Sequence, residues 1–89
     1  MAYEILIKAS AEKDMRRLPR DVRERATSAI LELREEPRLP GVLKLKGKRE
    51  GEEGWCIRVG DYRVVYRIDD TARQVMIYRV RHRRDVYRF

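Results

Sequence analysis

WCIRVGDYRVVYRI, residues 55–68, is two alternating segments on either side of a Gly60-Asp61 pair. Residues 55–59 and 62–68 are rich in β-branched and aromatic side chains that recur at every second position. Gly-Asp between such runs is the chemistry of a tight turn, so the stretch predicts a β-hairpin. Alternation puts Tyr62, Val64, Tyr66 and Ile68 on one side of the second strand and Arg63, Val65 and Arg67 on the other.

Working outward, residues 69–73 form a second turn and residues 74–81 a further strand, in which Met76, Tyr78 and Val80 oppose Val75, Ile77, Arg79 and Arg81. Arginines of neighbouring strands are then expected on one open sheet face. At the other end of the chain, residues 3–9 (YEILIKA) read as a first strand. Ser10 follows as an expected helix N-cap, since a hydroxyl can accept from the unpaired amides of a first turn. Ala11, Met15 and Leu18 share one face of a short helix, and Val22, Ala26, Ala29, Ile30 and Leu33 recur at helical spacing in a second. The second begins around residues 19–21, where proline is tolerated, and is expected to stop at Pro37. Residues 38–54 are broken by Pro40, Gly41, Gly47, Gly51 and Gly54, leaving a charged loop around one short strand at 42–45. Residues 82–89 read as a polar tail. The order is strand, helix, helix and three strands: an α+β domain over residues 1–89, β-α-α-β-β-β, with the helices covering one face of the sheet.

The 89 residues include 22 Lys and Arg against 15 Asp and Glu, a net charge of +7. A surplus this large points to a polyanionic partner: RNA, DNA or a strongly acidic protein. Arginine crowds the C-terminal third, and its planar fork matches phosphate oxygens better than a point charge does. Cys56 is the only cysteine and His82 the only histidine, which excludes an intramolecular disulfide and most zinc sites. The apolar stretch at the N-terminus is too short for a signal peptide or a membrane span, so a soluble cytoplasmic protein without metal or other cofactor is expected. Phosphate-binding glycine loops and HExxH are absent from the sequence.

What remains is arginine-rich phosphate chemistry with a few proton carriers: His82, Tyr87, and the loop lysines Lys44, Lys46 and Lys48. RNA supplies its own nucleophile, the 2′-hydroxyl. Cleavage then needs in-line positioning, a base, an acid and positive charge on the phosphate.

Residues 55–68 together with YRVRHRRDVYR (residues 78–88) resemble the C-terminal half of RelE/ParE superfamily toxins, and LPRDVRERATSAILEL (residues 18–33) fits the N-terminal half. The resemblance covers nearly the whole chain. It implies a single domain with a twisted antiparallel sheet packed against an N-terminal two-helix hairpin, and a cognate antitoxin carrying an acidic or amphipathic segment. The RelE branch cuts messenger RNA in the ribosomal A site without metal, by 2′-hydroxyl attack. The ParE branch poisons DNA gyrase by binding. By resemblance, Arg63 contacts the scissile phosphate, His82-Arg83 match a basic pair near the end, and Tyr87 matches a C-terminal tyrosine; these are the candidate catalytic residues. Arg58 matches one basic position of the preceding strand, while Cys56 stands at the other. That departure leaves the general base unassigned, because an arginine does not readily give up its proton. Arg58, Arg81 and Arg84, with Lys44, Lys46 and Lys48, are the candidate RNA-binding residues.

Plainer readings stand beside these. Arg63 can serve a structural ion pair, His82 can be an ordinary surface residue, and Tyr87 can pack on the sheet edge. Tyr62, Tyr66 and Trp55 are expected in or against the core. A gyrase poison and a catalytically inactive RNA-binding homologue are the alternatives to the nuclease.

Overall fold

A computed structural model describes residues 2–38, 43–45 and 54–86. The elements are β1 (Glu4–Ile7), α1 (Ala9–Arg16), α2 (Arg20–Glu32), β2 (Leu43–Leu45), β3 (Gly54–Val59), β4 (Tyr62–Asp69), β5 (Gln74–His82) and α3 (Arg83–Val86). They form a five-stranded sheet in the order β1-β5-β4-β3-β2. The α+β architecture is the expected one, with two helices against a sheet, but the sheet is mixed: β1 pairs parallel to β5, from Glu4↔Gln74 to Ile7↔Ile77. Hairpin connections fix β3, β4 and β5 as antiparallel, whereas no turn joins β1 to its neighbour, so local sequence carries no sign of its direction.

The hairpin at Gly60-Asp61 is tight because Gly60 adopts a left-handed φ of 58°, which suits the first central position of a two-residue turn. Ala11, Leu18, Ala26, Ile30 and Leu33 of the helical segment bury against Val59, Val64, Tyr66, Val75, Ile77 and Val80. Tyr62, Ile57 and Trp55 pack at the margin of this core. Helix α2 stops at Glu32, before Pro37, so the proline is not the terminator. Its carbonyl instead accepts the buried Tyr66 hydroxyl at 2.7 Å, fixing the chain that leaves the helix. Burial pushes the Tyr66 phenol upward, so it remains a proton donor. Tyr66→Phe should cost ~1–2 kcal/mol by leaving that carbonyl unpaired, read as a fall in melting temperature of roughly 5–10 °C. An unchanged midpoint would mean that the hydroxyl contributes nothing.

Two expectations for the last strand are corrected. Val65 faces Arg79 while Tyr66 faces Ile77, so Tyr78 is an extra residue, a β-bulge. Strict alternation groups Arg79 and Arg81 with Val75 and Ile77, which are buried in the core, and separates them from Val80. The bulge reverses this parity: Val80 joins the core and Arg81 turns to the opposite face, across from Arg63. The polar tail, in turn, begins as a short helix, α3, tied down where Arg83 N–H donates to Asp61 O at 2.8 Å.

Ser10 is also corrected. It lies inside α1, Lys8 occupies the N-cap without a side-chain cap bond, and Ser10 Oγ donates to Tyr78 O at 2.9 Å. The reason is the sheet edge. β1 stops at Ile7 while β5 runs on to His82, so α1 side chains occupy the edge that β1 leaves. Asp14 Oδ2 accepts Val80 N–H at 3.0 Å and also binds Arg79 Nε at 3.0 Å.

At the other end, Asp70 holds the segment after α2. Its carboxylate accepts two guanidinium bonds from Arg38, 3.1 and 2.9 Å, and the Tyr3 hydroxyl at 2.7 Å. Arg38 also lies over the Trp55 ring. The Arg38 hydrogen bond, then that of Tyr3, lowers the Asp70 carboxyl from 3.8 to about 2. A depressed carboxyl stabilises the fold fully above its unfolded value and loses that contribution as pH falls toward the folded one. Stability supplied by this cluster should therefore fade between pH 3.8 and about 2, and Asp70→Asn should flatten that part of the acid unfolding curve. Parallel curves for the two proteins would show that the cluster is not linked to folding.

Candidate functional site

Cross-strand register builds the site. Arg58 of β3 faces Arg63 of β4, and Arg63 faces Arg81 of β5. Directly opposed residues point to the same face, so these arginines form one row across three strands. Like charges in such positions repel, and a structural role alone would be served better by neutral residues.

Arg63 sits at the centre and is only 7% exposed. Its Nη1 donates to two carbonyls of the β3–β4 turn, Tyr62 O at 3.2 Å and Gly60 O at 3.4 Å. Its Nε–H is buried without an acceptor among the described residues. A buried donor without a partner costs ~1–3 kcal/mol, which an incoming acceptor would recover. Arg58 is exposed and Arg81 half-buried beside it. The face is thus less open than alternation suggests, with Cys56 also buried on it, across from Val65. Burial pushes the Cys56 thiol up against the lowering influence of Arg63 and Arg58, so it stays a neutral thiol and is no proton acceptor.

His82 lies elsewhere. It pairs with Tyr62, which packs against the helix-covered core, and the two rings meet edge to face at 5.5 Å. Arg63 and His82 therefore stand on opposite sides of the β4–β5 pair, although sequence grouped them. His82 Nδ1 accepts Arg84 N–H at 3.3 Å. Arg83 and Arg84 are exposed at the start of α3. Lys44 is in β2, across from Trp55. Tyr87, Lys46 and Lys48 lie outside the described residues. Sequence reasoning passed over Asp14 and Tyr62 as site-forming residues. The signal for Tyr62 was its position next to Arg63, while Asp14 looked like any charge on a helix surface.

Among the described residues, no three His, Cys, Asp or Glu side chains are grouped to hold a metal ion, and no helix is long and apolar enough to cross a membrane.

Residues 5–87 match the family described as ParE toxin of type II toxin–antitoxin system, parDE. Toxin RelG of Mycobacterium tuberculosis is 35% identical over 99% of both chains. Toxin RelE of the same organism is 39% identical over 97% of this chain and 87% of its own. Among solved structures, a RelBE toxin–antitoxin complex of M. tuberculosis superposes with a TM-score of 0.77 at 31% identity, covering 92% of this chain and 99% of that one. An archaeal RelE–RelB complex from Pyrococcus horikoshii gives 0.79 at 28% identity, over 93% and 97%. With its two helices on a sheet, its row of opposed arginines and these relatives along almost its full length, the chain belongs to the RelE/ParE superfamily of type II toxin–antitoxin toxins.

Proposed function

We propose that this toxin is a metal-independent, ribosome-dependent endoribonuclease that cleaves messenger RNA in the ribosomal A site, acting in the cytoplasm and restrained by a cognate antitoxin. The observation that carries this reading is Arg63, a buried cation at the centre of the arginine row with a donor left unpaired. A phosphate that displaces the side chains covering Arg63 supplies an acceptor that the described residues do not, and Arg58 and Arg81 on either side add charge to the same phosphate or its neighbours.

In the proposed reaction the 2′-hydroxyl oxygen attacks phosphorus and the bond to the 5′ oxygen breaks. The products are a 2′,3′-cyclic phosphate and a 5′-hydroxyl end. Arg63 holds the phosphate in line and stabilises the charge that builds on its oxygens. His82, Arg83 and Tyr87 complete the candidate set; His82 donates to the departing oxygen only as an imidazolium, and only where the RNA passes round the end of β5 to its side of the strand pair. Cys56 and Arg58 are unsuited to the base: one is a buried neutral thiol and the other keeps its proton. Lys44, Lys46, Lys48 and Arg84 are assigned to holding the rest of the RNA. The net charge of +7 suits a polyanionic substrate and also an acidic antitoxin segment, and the M. tuberculosis and P. horikoshii relatives were solved as toxin–antitoxin complexes.

Induced expression in a test bacterium, with mapping of messenger RNA 5′ ends, tests the reading. Codon-phased cuts are expected. Growth arrest with DNA damage and intact messages would assign the chain to gyrase poisoning instead, and no arrest from a folded protein would mark an inactive homologue.

A further inference from the structure

A cavity of about 320 Å³ opens beside the end of β5, on the side away from the arginine row. Its lining includes Leu18 and Val80, both buried, and Tyr62 with His82. Arg17 at the C-cap of α1 and Asp14 one turn before it flank the opening. Arg81 belongs to both places: it lines the cavity and stands opposite Arg63 in the row. This continuity exists because β1 ends at Ile7, so that along the outer edge of β5 beyond it α1, and no strand among the described residues, lies beside the chain.

We propose that this cavity receives one unstacked nucleobase of the RNA substrate, next to the phosphodiester held on the arginine row. The inference rests on the nuclease reading and adds a base-selecting subsite to it. The cavity combines an apolar floor, an aromatic side chain, a hydrogen-bond acceptor and a cation, which is the set of groups that binds a single-stranded nucleotide. Tyr62 and His82 offer ring surfaces for stacking. The Asp14 carboxylate already takes Arg79 and Val80 N–H through Oδ2, and its Oδ1 takes only a longer bond, 3.3 Å, from Arg79. Oδ1 therefore retains acceptor capacity for the amino or imino hydrogens of a base. Arg17 is exposed and placed for the phosphate of that nucleotide. A protein helix fits less well, because it needs a continuous apolar strip. The exposed large apolar side chains among the described residues are Ile7 and Leu31, neither of which lines this cavity.

The test is an NMR titration of the toxin with the four nucleoside 5′-monophosphates, run beside a cleavage assay on messages programmed into ribosomes with each base near the cut. Shifts are expected at Leu18, Tyr62, Val80 and His82, with unequal affinity among the bases. Arg17→Glu should weaken nucleotide binding about tenfold, the size of one charge-assisted hydrogen bond. Tyr62→Leu should level the base preference of cleavage by about five- to a hundredfold at the favoured site, the range of one base–aromatic stack, while Tyr62→Phe keeps it. Shifts confined to Arg58 and Arg63, an unchanged base profile in both Arg17→Glu and Tyr62→Leu, or a response to an acidic hexapeptide and to no nucleotide would each overturn the proposal. A wild-type protein that cuts no RNA would instead refute the nuclease reading, and the titration would still report on the cavity.

Discussion

Arg63→Ala is expected to lower the rate of RNA cleavage by about 10²–10³-fold, the usual effect of removing one preorganised donor from a developing charge. Stability should change far less. The native guanidinium is 7% exposed and carries an unpaired Nε–H, so its removal creates a space but also relieves a buried donor that nothing satisfies. These opposite effects separate a catalytic role from a structural one: an Arg63 that serves the fold loses melting temperature together with activity. Arg63→Lys sharpens the comparison. It keeps the charge but loses the planar fork, so a phosphate clamp recovers only part of the rate. Measurement of ribosome-programmed cleavage beside thermal unfolding decides the matter. Full activity in Arg63→Ala would remove this residue from the site.

The same contrast explains what was legible in the sequence. The hairpin around Gly60-Asp61 could be read because both of its determinants are local, alternation on each side and a glycine where a left-handed φ is needed. The helix face of Ala11, Leu18, Ala26, Ile30 and Leu33 was legible for the same reason. Arg63 could be found because resemblance and alternation converge on it. That arginines of neighbouring strands share a face was legible, but the register that sets Arg58, Arg63 and Arg81 opposite one another was not, because it depends on a one-residue slip at Tyr78 that alternation cannot encode. Without the bulge, the parity that buries Ile77 would drive Arg81 into the core. His82 falls on the other side of the strand pair from Arg63 for a related reason: neighbours in sequence along a strand send their side chains to opposite faces. Direction of β1, the role of Pro37 as an acceptor and the use of Ser10 at a sheet edge are all long-range facts. Each joins residues too far apart in sequence for any local pattern to mark.

Asp14→Ala should be the most damaging of the surface-charge substitutions, because this carboxylate stands in for a missing strand. Beyond Ile77 the outer edge of β5 has no β1 to pair with, and Asp14 takes up Val80 N–H while holding Arg79, whose side chain is 28% exposed against 11% for Asp14 itself. Removing the carboxylate leaves a main-chain donor and a largely covered guanidinium without this acceptor, at a combined cost of ~2–3 kcal/mol. For a domain of this size that is a fall of roughly 10–20 °C in melting temperature. Asp14→Asn retains a neutral acceptor for Val80 and should lose about half as much. Adding Arg79→Leu to Asp14→Ala should restore part of the loss, since the stranded cation is then gone. Hydrogen exchange gives a second readout: the Val80 amide should lose protection in Asp14→Ala while amides of the β3–β4 hairpin keep theirs. The effect reaches function because Arg81 and His82 follow on the same strand end, one in the arginine row and one in the cavity behind it. On the proposed nuclease reading, a loosened β5 edge should weaken phosphate binding and base selection together. If Asp14→Ala melts within about 2 °C of the parent and Val80 stays protected, α1 merely lies beside β5, and the edge must be held by something other than this carboxylate.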